Sequence, residues 1–147
     1  MSFTDDAWTN AVATIAGQGA FIRRNVSLMD ADRRSHPVVL IISLFFKSFG
    51  EDGLPNDDEE LTRADMTEEA IAKEFERAHD AWFGLVVMSD ASRDVFLFLP
   101  NRLPDGVIEA GIMRTEPRVD FDFDAVVDPE WQPYFRFGGH GSDSDWN

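Results

Sequence analysis

A chain of 147 residues that is 44% apolar, with 13 Phe, is long enough to bury one core and too apolar to stay disordered. A net charge of −15 argues against binding nucleic acid or anionic lipid, and the lack of cysteine removes disulfides and thiolate metal centres. The excess is uneven, since residues 1–50 hold 4 acids against 5 bases and residues 51–147 hold 24 acids against 8 bases.

MSFTDDAWTN shows neither the basic start nor the apolar stretch of a secretory signal. Trp8 to Ala16 reads as a strand with Trp8, Val12 and Ile15 as anchors, GQG at 17–19 as a turn, and Ala20 to Met29 as the hairpin partner. VVLIISLFF, Val38 to Phe46, is about half the length of a membrane-spanning helix and reads as a central strand buried on both faces. FGEDGLPN, Phe49 to Asn56, reads as loop. The best helix follows, with Asp65 and Glu68 at capping-box spacing and Ile71, Phe75 and Ala78 along one face. Trp82 to Met88 and Val95 to Leu99 read as strands around the turn SDASRD. Val107, Ile108, Gly111 and Ile112 give a short second helix beginning near Pro104. Val119 to Asp128 (VDFDFDAVVD) is the last strand, EWQPYFRF is irregular, and residues 138–147 form a flexible polar tail after a single domain over 1–137. From Val38 onward the order strand, helix, strand, strand, helix, strand predicts an α+β fold. It is the split β-α-β core of ferredoxin-like proteins, an antiparallel sheet with two helices, here preceded by an N-terminal β-hairpin.

Asp120, Asp122 and Asp124 fall at every second position, so in a strand their carboxylates stand on one face. A D-x-D-x-D start also opens a calcium loop, but that loop needs Gly at its sixth place and an acid at its twelfth, where this chain has Ala125 and Trp131. Alternate residues on a strand also stand about 6.6–6.8 Å apart, too far for three of them to close on one ion. Two readings remain: the wet side of a strand whose Phe121 and Phe123 face the core, and an acidic surface that docks a basic protein. Asp57, Asp58, Glu59 and Glu60 precede or open a helix, where the macrodipole favours negative charge, and they offer a second acidic surface. Trp131 and Tyr134 either close one end of the core or anchor a partner. His36, His79 and His140 are scattered and read as surface or capping residues. No nucleophile motif, H-E-x-x-H or phosphate loop is present, so no catalytic residue, metal site or cofactor is expected.

The Trp8 opening and hairpin, HPVVLIISLFF, GLPNDDEE before a helix, DVFLFLP and the late DPEWQPYF together resemble the bacterial domain-of-unknown-function family 695 over residues 6–137. That family is similar to the group of the protein regulator of ribonuclease activity B, a small acidic ferredoxin-like inhibitor. The resemblance implies an α+β domain that binds protein, and the extra hairpin departs from the regulator. The expectation is a cytoplasmic acidic module that inhibits or regulates a basic partner, such as a nuclease or the toxin of an immunity-type pair. The partner-binding residues would be Asp120, Asp122, Asp124, Asp57, Asp58, Glu59, Glu60, Trp131 and Tyr134. The alternatives are a hydrolase using carboxylates with a divalent metal, and a structural subunit that forms a homodimer.

Overall fold

The computed structural model describes residues 8–15, 18–45, 58–89, 92–117 and 119–138. The elements in chain order are β1 (Trp8–Ile15), β2 (Gln18–Asn25), β3 (Val38–Phe45), α1 (Asp58–His79), β4 (Trp82–Ser89), β5 (Ser92–Leu99), α2 (Asp105–Arg114), β6 (Asp120–Val127) and α3 (Gln132–Gly138). The strands form a six-stranded sheet in the order β1-β2-β4-β5-β3-β6, with every pairing antiparallel. The fold is therefore α+β, with β1 and β2 as an N-terminal hairpin added beside β4. That hairpin is pinned by Trp8, whose ring meets Phe83 at 4.8 Å and carries the Arg23 guanidinium 5.2 Å above it.

β3 owes its central place to its composition. A strand between two neighbours has to be apolar on both faces, and Val38, Val39, Leu40 and Ile42 are almost wholly buried. Even-numbered β3 residues (Val38, Leu40, Ile42, Leu44) face α1 and α2, where they pack with Ile71, Phe75, Ile108 and Ile112. Gly111 permits that close helix pairing, because a Cβ there would lie 2.9 Å from the tip of the Phe75 ring. On the other face, Val39 and Ile41 of β3 join a second core with Leu28, Phe98, Trp131 and Tyr134. Gly84 sits at a register shift between Phe83 and Leu85 on β4 and lets Phe98 approach; any Cβ at this position would strike that ring.

Four expectations change. The second hairpin strand ends at Asn25 rather than running to Met29. The Asn25 side chain accepts from the Ser27 amide (3.1 Å) and donates to the Phe83 carbonyl (3.0 Å), turning the chain into a short 3₁₀ segment at Val26–Leu28. α1 begins at Asp58, so Asp65 and Glu68 are helix interior and cap nothing. Acids in its first turn suit the helix dipole, and Arg93 of β5 takes both carboxylates, with Nη1–O distances of 2.8 and 2.9 Å. EWQPYFRF is not irregular. Asp128 accepts from the Glu130 (3.3 Å) and Gln132 (2.9 Å) amides and so starts α3, with Pro133 in the first turn, where its missing N–H costs nothing.

His36 is the fourth. It is buried, not a surface residue: its ring stacks on Trp82 with centroids 3.6 Å apart, and Nε2 donates to the Asp80 carbonyl (2.8 Å). Burial holds its pKa below the ordinary value against the opposing pull of Asp80. Among the described residues no helix is long and apolar enough to cross a membrane. The Phe49–Asn56 loop and, beyond Gly138, the polar tail with His140 lie outside the described residues.

Candidate protein-binding surface

β6 pairs with β3 alone and is one edge of the sheet. The alternation DFDFDA places Phe121, Phe123 and Ala125 half-buried against the α1/α2 core, and Asp120, Asp122 and Asp124 exposed on the opposite face. The expected row of three carboxylates is therefore present. Among the described residues none of the three forms an ion pair, and no group of His, Cys, Asp or Glu is placed to hold a metal ion.

The row also has a local task. A strand with one neighbour leaves alternate amides without a ladder partner, and here Phe123 N–H donates to Asp122 Oδ1 (2.8 Å) and Ala125 N–H to Asp124 Oδ1 (3.0 Å). Each carboxylate bends back onto its own strand and occupies the site an added strand would use. Among the described residues the second oxygen of each carboxylate has no hydrogen-bond donor.

The other predicted residues divide. Glu59 is exposed in the first turn of α1 and faces Arg63 at 3.8 Å, one helical turn on. Asp57 lies outside the described residues, and Asp58 and Glu60 are placed by backbone alone in that same turn. Trp131 and Tyr134 cannot touch a partner, because both are fully buried. The cause is the backbone at Trp131, whose φ of 52° turns the indole inward onto Phe98, with ring centroids 4.1 Å apart. Its Nε1–H reaches the His36 carbonyl (2.7 Å). Tyr134 follows it, donating to the Asn25 carbonyl at 2.6 Å, and burial pushes its hydroxyl up to about 12.

The model for a family described as a family of unknown function (DUF695) matches residues 6–137. The chain belongs to DUF695. No curated protein and no solved structure matches it.

Beside the β6 row this DUF695 chain carries three residues that inspection of the sequence had not singled out. Ser43 of β3 pairs directly with Asp122 on one side and Asp94 of β5 on the other, and its Oγ donates to Asp94 Oδ1 at 2.8 Å. Phe45 ends β3, 41% exposed and opposite Asp120. Burial pushes the Asp94 carboxyl above its ordinary range, and the Ser43 hydroxyl pulls it only part of the way back. A raised carboxyl favours the fold when protonated. That contribution is fully present below the unfolded value, near 3.8, and is lost as pH rises through the folded one. Asp94→Asn keeps an oxygen for Ser43 and removes the charge. We expect it to raise Tm by about 1–3 °C at neutral pH and to change it little in acid below the carboxylate range. Thermal melts at the two pH values check this, and an equal shift at both would show that the Asp94 charge carries no such cost.

Proposed function

We infer that this chain is an acidic protein-binding module that holds a basic partner and blocks the partner's own surface. The observation that carries the reading is the β6 row, three exposed carboxylates with no neutralising cation among the described residues, on a chain of net charge −15. A folded protein gains nothing in stability from such a row beyond the two amide contacts. What the row supplies is a field that draws in positive charge over about 8–10 Å. The carboxylates would stand where the phosphates of a nuclease substrate lie, so the partner class is a nuclease or a toxin of the immunity type.

The fold supports the same reading at a finer level. In the segment β4-β5-β3-β6, α1 joins β3 to β4 across β5, and α2 joins β5 to β6 across β3. That order supports a ferredoxin-like split β-α-β core with the hairpin as an addition, and with it a kinship to the regulator of ribonuclease activity B. A cytoplasmic setting suits the cysteine-free composition.

The test separates charge from shape. Asp120→Asn, Asp122→Asn and Asp124→Asn together retain the Oδ1 acceptors for Phe123 and Ala125 and remove three charges. We expect the triple variant to melt within about 1 °C of the parent and to bind its basic partner about ten-fold more weakly, through a slower on-rate. The parent complex should itself weaken as salt rises from about 50 to about 200 mM. A partner that binds both proteins equally, at any ionic strength, would remove the row from the interface.

A further inference from the structure

Directly paired residues on neighbouring strands share a sheet face. On the face turned away from α1 and α2, the pairing therefore builds three cross-strand rows: Asp120–Phe45–Ser92, Asp122–Ser43–Asp94 and Asp124–Ile41–Phe96. Beyond the third row the face is closed by Trp131 and Tyr134 over Phe98 and Val39. Towards Phe45 it opens, passing from buried Phe96 through half-buried Ile41, Ser43 and Asp94 to the exposed Phe45 ring.

This open quarter has an unusual composition for bare surface. The exposed Phe45 stands at its open end between Asp120 and Ser92, and in the next row Asp122 and Asp94 stand on either side of Ser43. Asp94 accepts from the Ser43 hydroxyl, and no described cation is paired with it. An exposed aromatic set beside hydrogen-bonding and charged groups is a combination that protein interfaces use.

We propose that this quarter of the sheet docks an arginine side chain of the basic partner, its guanidinium over Ser43 between Asp94 and Asp122 and its stem against Phe45. The inference rests on the binding-module reading and names the place and the chemistry of contact. Asp94 and Asp122 flank Ser43 on neighbouring strands, about 10 Å apart at Cα. A planar group with five donors can address carboxylates on both sides of it and lay its face on a ring, whereas an ammonium offers one compact charge. Among the described residues no group of three or more His, Cys, Asp or Glu is placed to hold a metal ion. A symmetric second copy would set one β6 row against another, and like charges would oppose it.

The experiment titrates the ¹⁵N-labelled full chain with a short synthetic peptide of alternating Arg and Leu, and with its Lys counterpart. The expected result is amide shifts centred on Ser43, Phe45, Asp94 and Asp122, tighter binding of the Arg peptide, and about ten-fold weaker binding for Asp94→Asn and for Phe45→Ala. Salt-sensitive binding whose shifts centre elsewhere, such as the first turn of α1, or that ignores both substitutions, overturns the docking site and leaves the broader reading standing. No binding of either peptide at low salt overturns both. Line broadening that grows with protein concentration before any peptide is added assigns the face to a second copy and likewise overturns the proposal.

Discussion

Trp131→Ala is expected to cost about 3–5 kcal/mol of stability, the largest loss from any substitution considered for this protein. The indole is fully buried, stacked on Phe98 at 4.1 Å and met edge-on by Trp82 at 5.9 Å and Tyr134 at 5.7 Å. Alanine leaves a cavity among rings that cannot collapse far, because Phe98 is already held against Gly84 on its other side. It also deprives the His36 carbonyl of its donor, a buried loss of about 1–3 kcal/mol that belongs to the same total. Trp131→Phe separates the two effects by retaining most of the volume and none of the hydrogen bond. Urea denaturation followed by far-ultraviolet circular dichroism gives both values, since that signal does not depend on the tryptophan being replaced. A loss under about 1 kcal/mol for the alanine variant would mean that the C-terminal segment is not part of the core.

The second large effect is at Arg93, 1% exposed beneath α1. Its Nη1 holds Asp65 and Glu68, and Glu68, itself buried, is also held by Arg23 at 3.1 Å. Arg93→Met matches the apolar length of the side chain but leaves Glu68 with one half-exposed cation. The expected cost is about 3 kcal/mol, near the low end for breaking a buried pair because Arg23 remains. Adding Glu68→Gln to Arg93→Met is expected to restore at least about 1 kcal/mol, because the amide carries no charge to strand. Chemical denaturation of the parent, both single variants and the double variant closes the cycle. Additive losses would show that the two side chains are not coupled.

The elements with strong periodicity are legible in the sequence for physical reasons. Val38–Phe45 has to be central because nothing polar but Ser43 interrupts it, and the alternation of Phe and Asp in β6 fixes which residues face water. What local pattern cannot supply is the partner across the sheet. Asp65 and Glu68 look like a capping box because their spacing is right, yet the cation they serve is on β5, more than 20 residues later in the chain. Trp131 and Tyr134 are residue types common at interfaces. Their direction depends on one positive φ and on the Asp128 cap, neither of which a hydropathy pattern records. The candidate patch is the clearest case. Ser43 in an apolar run and Asp94 at the head of another are visible, but only the register of three strands brings them beside Asp122 and Phe45.

The position of β3 has a consequence for how the protein is made. Both its neighbours, β5 and β6, are synthesised after it, and the later of them ends at Val127. At about 5–20 residues per second, the segment VVLIISLF waits on the order of several seconds before it can be paired on both sides. It is short, rich in β-branched residues and free of charge, the composition that aggregates most readily. Yield in the cell should therefore depend on whatever shields this one segment during translation, and a polar replacement at Phe45, the exposed end of the strand, should improve recovery of native protein without touching the core.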